Sequence, residues 1–552
     1  MVLAKTVSSL EKILIRDTFE SKAEIKTLKA ARGERVSFQL MVFKPIDPVR
    51  QNGVSLKIAN RSKLSKYISM YRVAHVPSEL PAYLERSDDD YISKEPGFYP
   101  DVLFPVKDKN LIKADRYNCT SIWYTLELPQ DLEVGSYPIN ITITDNADEV
   151  STKVKVVIEV KNAVIGKSDL KMSQWFHCDC IADHFGVKMM SEKHWKLIEN
   201  FIKTAAHIGI TMLLTPLFTP ALDTKIGAER PTMQLVKIEK NGDKYSFNFD
   251  LLDRWVNICH KYGIKYFEMS HLFTQWGANA CPKIVVKENG KDVKLFGWHV
   301  ASNDPLYENF LSQFLPAINE HIQKLGIAEN CYFHISDEPS DKRENDYDNY
   351  SRAKSIVSKY ITNVKIMDAL SNVAYYDNGL VEYPVPATNH IGPFLERTFK
   401  ERWCYYCCSQ GQDVANRFFA MPSYRNRVSG VQLYMYDMDG FLQWGYNFYY
   451  SAGSECLINP FATTDGLQAW PSGDPFSVYP YNNGAIESLR AVVFYEGLQD
   501  RLLLLELEKK IGKEKVKQLV LDLAGGELTF DSYPRNAEFY VKLHDTVLDM
   551  LD

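Results

Sequence analysis

The chain reads Cys331-Tyr332-Phe333-His334-Ile335-Ser336-Asp337-Glu338-Pro339 at residues 331 to 339. The stretch begins apolar and aromatic, as a buried strand does, and ends in two adjacent carboxylates before a proline, which cannot donate to a sheet ladder. We therefore expect a strand that ends where the acids begin. Carboxyl groups this close raise the pKa of one of the pair, so one group keeps its proton at neutral pH. A neutral acid beside an anionic partner is suited to acid/base catalysis.

The same two acids also have a purely structural interpretation. In it, Asp337 caps the following helix and Glu338 lies on the solvated first turn of that helix. Spacing alone leaves both interpretations open.

Composition limits the class of protein. A chain of 552 residues is too long for one core and predicts two or three domains. Hydrophobic residues at 45% and charged residues at 24% are typical of a globular protein. A formal net charge of -6 lacks the signature of polyanion binding, so we expect no nucleic acid partner. No apolar run reaches the roughly 18 residues of a membrane span, so we expect no membrane insertion.

The ten cysteines follow no repeating spacing. Cys178-Asp179-Cys180 and Cys404-x-x-Cys407-Cys408 lack the second pair that a zinc site requires, so we expect no metal. Unpaired thiols fit a reducing compartment. No apolar core of a signal peptide is visible near the first residue. We expect a cytoplasmic protein, or a secreted or periplasmic one if a leader has been removed, and the oligomeric state stays open.

The first 165 residues alternate apolar and polar side chains. Strands are predicted at 34–43, 121–128, 135–144 and 152–160. Several short strands separated by turn residues predict an antiparallel β-sandwich. Between them, 80–109 is rich in Pro, Asp and Tyr and predicts a long loop. This loop either contacts a neighbouring domain or is a surface connection.

After about residue 166, strands alternate with amphipathic helices, which indicates a parallel sheet. Helices are predicted at 192–208, 250–262, 305–324 and 341–360. Eight strand candidates predict a (β/α)8 TIM-type barrel over 166–510, at 171–177, 209–214, 265–271, 331–336, 364–370, 385–390, 402–408 and 440–447.

Three further helices are predicted at 486–510, 513–523 and 535–551, with their charges on a solvated face. The last two form a C-terminal helical extension, 511–552, packed on the barrel. The predicted fold is therefore a multidomain α/β protein. Arg427 and Arg490, with Glu496 and Asp500, are interpreted as structural salt-bridge partners.

The C-terminal ends of the strands hold the active site of such a barrel. Two insertions lie at the same end: a hairpin at 233–249 and a long aromatic loop after strand three. Aromatic rings in these places either serve as platforms for sugar rings or belong to the core. The candidate residues at the strand ends and in the loop are His177, His271, Trp276, Asp337, Glu338, Asp368, Asn389, Tyr405, Tyr406, Trp444, Tyr446 and Asn447.

Six stretches in series resemble glycoside hydrolase family 123, the group also named domain of unknown function 4091. The likeness extends over about residues 30 to 510. The stretches are EMSHLFTQWG at 268–277, LFGW at 295–298, HISDEP at 334–339, DGFLQWGYN at 439–447, DPFSVYP at 474–480 and SLRAVVFYEGLQD at 488–500.

The resemblance implies an N-terminal β-sandwich, a barrel with the acid pair after strand four, and a retaining β-N-acetylgalactosaminidase. It implies a substrate-assisted mechanism, in which the 2-acetamido oxygen of the sugar attacks the anomeric carbon. Glu338 is then the general acid/base, and an anionic Asp337 orients the acetamido N–H. Such a reaction needs no metal or organic cofactor.

Other side chains are expected to bind the sugar of a β-GalNAc-terminated glycan. Tyr405 or Tyr406 is expected to bond the acetamido oxygen. His177, Asp368 and Asn389 are supported by strand-end position alone. The remaining candidates lie in the matching stretches and are His271, Trp276, Trp444, Tyr446 and Asn447.

Three functions stay open at this point. The first is an exo-acting β-N-acetylgalactosaminidase or related β-hexosaminidase. The second is a glycosidase of the same fold that acts on a sugar without an acetamido group. The third is a non-catalytic carbohydrate-binding protein, because fold alone does not give function. The pair Asp337 and Glu338 and the aromatic strand ends favour an enzyme.

Overall fold

Two five-stranded sheets occupy the N-terminal part of the chain. The computed structural model describes residues 2–44, 54–115, 117–147, 149–340, 343 and 345–552. The strands of these sheets are β1 (Leu3–Ser8), β2 (Thr27–Arg32), β3 (Arg35–Phe43), β4 (Val54–Arg61), β5 (Ile68–Ser78), β6 (Gly97–Pro105), β7 (Ile112–Ala114), β8 (Thr120–Glu127), β9 (Gly135–Asp145) and β10 (Ser151–Val164).

The first sheet has the order β1-β3-β8-β5-β6, and its neighbouring strands are antiparallel. The second has the order β2-β10-β9-β4-β7. Its edge pair β2 and β10 is parallel, so the prediction of purely antiparallel sheets is wrong there. Apolar side chains from both sheets, including Phe38 and Ile141, share one hydrophobic cluster. The four predicted strands correspond to β3, β8, β9 and β10.

Strands and helices alternate in the rest of the chain. The strands are β11 (Lys171–Gln174), β12 (Met212–Thr215), β13 (Lys237–Asn241), β14 (Lys244–Asn248), β15 (Tyr266–Met269), β16 (Ile284–Glu288), β17 (Lys291–Phe296), β18 (Cys331–Phe333), β19 (Lys365–Leu370), β20 (Tyr383–Pro386), β21 (Trp403–Tyr405), β22 (Gly440–Gln443), β23 (Val478–Tyr481) and β24 (Gly484–Glu487). The helices are α1 (Cys178–His184), α2 (Glu192–His207), α3 (Asp250–Lys261), α4 (Pro305–Lys324), α5 (Asp346–Tyr360), α6 (Ala374–Asp377), α7 (Gly392–Leu395), α8 (Tyr424–Met435), α9 (Leu489–Ile511), α10 (Lys513–Ala524) and α11 (Ala537–Leu551).

Eight of these strands form one parallel sheet in the order β20-β19-β18-β15-β12-β11-β22-β21. Each strand lies beside the next one along the chain, and a parallel bridge between Ala387 and Tyr405 joins the two edges. The sheet is therefore nearly closed into a barrel. All eight predicted strands exist, and most end earlier than predicted because the chain leaves the sheet where polar site residues begin.

The helix boundaries follow recognisable start signals. Asp304 precedes α4, and its side chain accepts a 2.8 Å hydrogen bond from the backbone N–H of Leu306, while Pro305 occupies the first helical position. Ser191 caps α2 in the same way. The helix predicted from residue 341 is α5, which begins at Asp346. Residues 341, 342 and 344 lie outside the described part of the chain.

Both predicted insertions leave the barrel on the side of its C-terminal strand ends. The hairpin at 233–249 is confirmed as β13 and β14. The loop after β15 contains a second hairpin, β16 and β17, which joins the first in a four-stranded sheet in the order β14-β13-β16-β17. Ordered strands and buried aromatic side chains such as Phe296 hold this long insertion in place.

The segment 80–109 joins the N-terminal sheets to the barrel. The prediction of one long loop is wrong for its second half, which is β6. The first half contacts the barrel: Asp88 accepts a 2.7 Å hydrogen bond from Arg425, and the hydroxyl of Tyr91 donates to the carbonyl of Gly411 at 2.7 Å. The interpretation as a segment that contacts a neighbouring unit is confirmed.

Helix α9 is buried along most of its length, so the prediction of a solvated charged face is wrong for it. Its Arg490 forms a buried ion pair with Asp101 of β6 at 2.8 Å, and its Asp500 pairs with Arg427 at 2.7 Å. The structural role predicted for these residues is confirmed. Helix α11 packs on α8, α9, β2 and β10. No helix among the described residues is long and apolar enough to cross a membrane.

Candidate active site

An open cavity of about 650 Å³ lies at the C-terminal ends of the barrel strands. Small-molecule sites commonly lie at this end of a barrel. The acid pair Asp337 and Glu338 lies on its wall. The lining residues are Trp175, His177, Leu222, Asp223, Gln275, Trp276, Asp337, Glu338, Ala369, Tyr405, Cys407, Cys408, Leu442, Trp444, Phe448 and Trp470.

The backbone turns sharply at the acid pair. Strand β18 ends at Phe333, and Glu338 has a φ of +43°, a left-handed conformation that few residues other than glycine adopt. The backbone N–H of Trp276 donates to the carbonyl of Asp337 at 3.0 Å and ties the pair to the loop after β15. Helix α5 begins only at Asp346, after Asn345. The interpretation of Asp337 as the cap of that helix is therefore wrong.

Glu338 is held from the neighbouring side of the barrel mouth. The hydroxyl of Tyr405, the last residue of β21, donates a 2.6 Å hydrogen bond to Oε1 of Glu338. Burial and the adjacent carboxylate raise the pKa of Tyr405 well above its usual value, so the phenol remains a neutral donor. This contact fixes one oxygen of Glu338 and leaves the other to the cavity, since both residues line it.

Asp337 carries the clearest electrostatic perturbation of the site. Removal from water and the adjacent Glu338 raise its pKa well above the ordinary value, and nearby His334 opposes this rise. Asp337 thus keeps a proton to a higher pH than an ordinary aspartic acid. The expectation was that Asp337 is the anionic member of the pair. The raised pKa of Asp337 in the site without a bound sugar differs from that expectation.

A buried charge network lies beneath the acids. Nδ1 of His334 bonds Asp368 at 2.8 Å, and Nε2 bonds Glu268 at 2.8 Å. Both carboxylates together outweigh the effect of burial and raise the pKa of His334 to about 10, so the ring is a cation. The indole of Trp175 also donates to Glu268 at 2.6 Å. These contacts lock the base of the cavity and explain the conformation of the chain just before Asp337.

His271 stacks on His334, with ring centroids 4.2 Å apart. It is buried, its two ring nitrogens make no hydrogen bond to a described residue, and burial lowers its pKa well below the usual value. Side-chain ligand atoms of His271, His334 and Asp368 lie within 4.8 Å of one another, a spacing compatible with a metal ion. However, both nitrogens of cationic His334 carry protons, so this ring has no lone pair for a metal.

Two indole rings form apolar parts of the wall. Nε1 of Trp444 donates to buried Asp474 at 2.7 Å, and its ring packs edge-on to Phe448 and Trp470. Trp276 is 43% exposed, and its backbone φ of +59° bends the chain away from an extended course. An exposed indole fixed on a cavity wall is suited to an apolar sugar face.

His177 lines the cavity but has no free nitrogen. Its Nε2 donates to the carbonyl of Trp444 at 3.0 Å, and Nδ1 accepts from Arg230 at 3.2 Å. Burial and the guanidinium of Arg230 lower the pKa of His177 to about 3. The ring is therefore a neutral element of the wall.

Comparison with known protein families identifies the chain. The family model described as "Glycoside hydrolase 123, catalytic domain" matches residues 175–507, which include the acid pair and seven of the eight barrel strands. The chain belongs to glycoside hydrolase family 123. Curated protein sequences give no match.

One solved structure of a family 123 glycoside hydrolase shares the fold of this chain. The chain is similar to a family 123 glycoside hydrolase from Clostridium perfringens, which was studied for glycolipid glycan hydrolysis, with a TM-score of 0.72 and 16% identity over 100% of this chain and 97% of that one. A β-glucuronidase from Parabacteroides merdae matches at a TM-score of 0.30 and 8% identity, covering 84% of this chain and 50% of that one.

Several residues predicted to bind sugar lie outside the cavity of this family 123 glycosidase. Tyr406 packs on Phe441 behind the barrel, because it follows Tyr405 and points to the opposite face. Tyr446 is buried against Phe176, and its hydroxyl donates to the carbonyl of Phe201 at 2.8 Å. Neither ring contributes to the cavity lining.

Three polar candidates are also structural in the family 123 barrel. Asn447 exchanges two hydrogen bonds with the backbone of His177 at 2.8 and 3.0 Å, which joins the ends of β11 and β22. Asp368 is buried beneath the site with His334. Asn389 is exposed on a short turn and accepts from Gln410 at 2.8 Å. Strand-end position alone therefore does not place a side chain in the cavity lining.

Sequence reasoning missed a larger group of cavity residues. Gln275 and Leu442 lie inside stretches that resemble family 123, within two positions of the candidates Trp276 and Trp444. Asp223 follows β12 in irregular structure, where periodicity gives no signal. The full set of missed residues is Trp175, Leu222, Asp223, Gln275, Ala369, Cys407, Cys408, Leu442, Phe448 and Trp470.

Proposed function

We propose that the protein is a retaining exo-glycosidase that removes terminal β-linked N-acetylgalactosamine from glycans or glycolipids by substrate-assisted catalysis. The observation that carries the proposal is the position of Asp337 and Glu338, adjacent in sequence and on one cavity wall. Membership of glycoside hydrolase family 123 supports carbohydrate as the substrate class.

The arrangement of the acids favours a nucleophile that belongs to the sugar. Ordinary retaining glycosidases place two carboxyl groups about 5 Å apart on either side of the scissile bond. Neighbouring residues on a regular strand point to opposite faces, whereas the turn at Glu338 brings both acids to one cavity. Two acids on one side of a sugar serve the glycosidic oxygen and the 2-acetamido group.

Glu338 protonates the glycosidic oxygen as the leaving group departs and then deprotonates the attacking water. The acetamido oxygen forms a bond to the anomeric carbon, and a cyclic oxazolinium intermediate results. Asp337 accepts the acetamido N–H and stabilises the positive charge of that intermediate. The Tyr405 hydroxyl keeps Glu338 in one orientation during both steps.

The raised pKa of Asp337 gives the pair its proton. An N–H donated by the bound sugar favours the ionised form of Asp337, because hydrogen bonding to a charged form stabilises it. Sugar binding thus favours the anionic form of Asp337 that the acetamido N–H needs as its acceptor.

A hydrolysis assay on nitrophenyl β-GalNAc, β-GlcNAc and β-galactose, with and without a thiazoline mimic of the intermediate, tests the proposal. We expect turnover of β-GalNAc and inhibition by the thiazoline. Turnover of β-galactose without thiazoline inhibition would favour the same-fold glycosidase for another sugar. Lack of turnover on all three would contradict the proposal and favour a binding protein.

A further inference from the structure

A second polar pair lines the cavity outside the acid pair. Asp223 follows β12, and Gln275 follows β15. Oε1 of Gln275 accepts the backbone N–H of Asp223, which holds the Gln275 side chain against the Asp223 backbone. This contact also orients the amide, because Oε1 is committed and Nε2 is left as the donor.

Asp223 is held in place by the opposite loop. The backbone N–H of Gly453 donates to Oδ2 at 3.0 Å, and the hydroxyl of Ser454 donates to the Asp223 carbonyl at 2.7 Å. Asp223 has a φ of +40°, and burial raises the pKa of its half-buried carboxyl to about 6. Two neighbouring segments of the barrel mouth therefore hold Asp223, because Gln275 and Ser454 bond its backbone and Gly453 bonds its carboxyl.

Two atoms of this pair have no protein partner. Among the described residues, nothing hydrogen-bonds to Oδ1 of Asp223 or Nε2 of Gln275. A sugar hydroxyl both donates and accepts a hydrogen bond. A carboxylate acceptor beside an amide donor matches that chemistry.

Most other polar groups of the cavity are already used, and the indole N–H of Trp276 offers a donor but no acceptor. His177 has both nitrogens bonded, the indoles of Trp175 and Trp444 donate to Glu268 and Asp474, and the Tyr405 hydroxyl donates to Glu338. Asp223 and Gln275 are therefore the groups outside the acid pair that are best placed to bind a hydroxyl.

We propose that Asp223 and Gln275 form a hydroxyl-binding subsite for the pyranose ring, which reads a ring or exocyclic hydroxyl remote from the acetamido group. The subsite rests on the proposed function for the identity of the sugar, and its ligand class is a polyhydroxylated pyranose. A site built around a hydroxyl discriminates strongly against a sugar that lacks it, because the buried polar groups are then left unpaired.

Polarity swaps test the subsite without depending on turnover. Asp223→Asn replaces the free acceptor by a donor, and Asn tolerates a positive φ. Gln275→Glu keeps the acceptor for the Asp223 N–H and replaces the free donor by an acceptor. The double variant carries a donor and an acceptor in reversed order, which again matches a hydroxyl.

Binding of N-acetylgalactosamine, galactose and the 4-deoxy and 6-deoxy forms of N-acetylgalactosamine is measured by ligand-observed NMR titration. We expect each single variant to weaken binding of the hydroxylated sugars by about 10- to 100-fold. The double variant recovers part of this loss. We expect one of the two deoxy sugars to bind wild type weakly and to bind the single variants equally weakly. The hydroxyl that this sugar lacks is then the one that the subsite binds. The control is Glu455→Gln, an exposed carboxyl after Gly453 that pairs with Lys225.

Equal losses for every sugar, no recovery in the double variant, or no sugar binding by wild type would overturn the subsite. Loss of kcat in Asp223→Asn, with rescue by azide, would also overturn it and make Asp223 a nucleophile. Sugar binding with the expected pattern but no turnover of acetamido glycosides would leave the subsite standing and contradict the proposed function. The experiments therefore distinguish a failure of the subsite from a failure of the proposed function.

Discussion

The hydroxyl of Tyr405 donates a 2.6 Å hydrogen bond to Oε1 of Glu338. The two residues come from strands β21 and β18, which are separated by β19 and β20 in the barrel. A charge-assisted contact of this length is among the stronger hydrogen bonds in proteins. The orientation of Glu338, the proposed acid/base, is therefore set by a second segment of the barrel mouth as well as by its own loop.

Tyr405→Phe removes this bond with little change in shape. We expect kcat/KM on an unactivated glycoside to fall by about 10- to 100-fold, because a hydrogen bond to a charged group is lost and Glu338 is free to rotate. Sugar affinity changes little. Steady-state kinetics together with a binding titration separates the two effects. Tyr406→Phe, on the opposite face, is the matched control, and equal losses in both variants would contradict the account.

Glu338→Gln removes the proposed acid/base. We expect turnover of substrates with poor leaving groups to fall below detection, while nitrophenyl substrates keep a larger share of their rate in the first step, since a good leaving group needs less protonation. Binding of product sugar is retained. The check is the ratio of rates on the two substrate types. A variant with full activity on both types would show that Glu338 is not the acid.

Asp337→Asn is expected to lose activity and gain stability. Its carboxyl has a raised pKa in the folded state, so at neutral pH folding must either protonate this group or hold its charge in an unfavourable place, and both cost free energy. That cost is absent below the unfolded pKa of about 3.9. The variant should therefore unfold at a higher temperature than wild type at pH 7, and the difference should shrink as the pH falls toward 4. Thermal unfolding over that range provides the measurement, and an unchanged difference would contradict the assignment.

His334→Gln tests the buried network. The folded-state pKa of His334 is raised to about 10, so its contribution to stability is complete below about 6.5 and is lost as the pH rises through 10. Removing the cation leaves Glu268 and Asp368 in the interior without their positively charged partner and is expected to cost about 3–5 kcal/mol at pH 7. The difference in free energy of unfolding between wild type and variant is measured by denaturant unfolding at pH 7 and pH 10. The gap between wild type and variant should narrow at the higher pH, and a constant gap would contradict this account.

The same variant has a catalytic signature. His334 lowers the pKa of Asp337 in the native site. Its removal should move the acid limb of the pH profile of kcat/KM to higher pH, because Asp337 must be ionised to accept the acetamido N–H. If the variant does not fold, His334→Lys retains a cation for the same comparison.

Much of the fold was predictable from hydrophobic periodicity. All eight barrel strands and helices such as α4 follow the patterns of their residues, because burial of one face imposes a regular period on the sequence. The parallel pairing of β2 with β10 was not predictable, because the alternation of apolar residues in a strand does not show which strand it pairs with. The burial of α9 was missed although salt bridges were predicted for Arg490 and Asp500, because the sequence does not show that these ion pairs lie in the interior.

The site was predictable where the chain order itself carries the information. Asp337 and Glu338 follow β18 directly, and both line the cavity. Tyr405 and Tyr406 show how far such a prediction reaches. Tyr405 faces the cavity and Tyr406, one position later, faces the core, whereas strand ends are predicted from sequence only to within a few residues. Asp223 lies in irregular structure, and its role depends on Gly453, which is 230 positions away in sequence. Contacts of that kind appear only in three dimensions.

The most direct test of the central claim is a series of nitrophenyl β-GalNAc substrates with acetyl, monofluoroacetyl, difluoroacetyl and trifluoroacetyl groups on the 2-amino nitrogen. Fluorine withdraws electrons from the acetamido oxygen and weakens it as a nucleophile. If that oxygen attacks the anomeric carbon, kcat/KM of wild type falls steeply with each fluorine added. A flat series with efficient turnover would contradict substrate assistance and would remove the role proposed for Asp337.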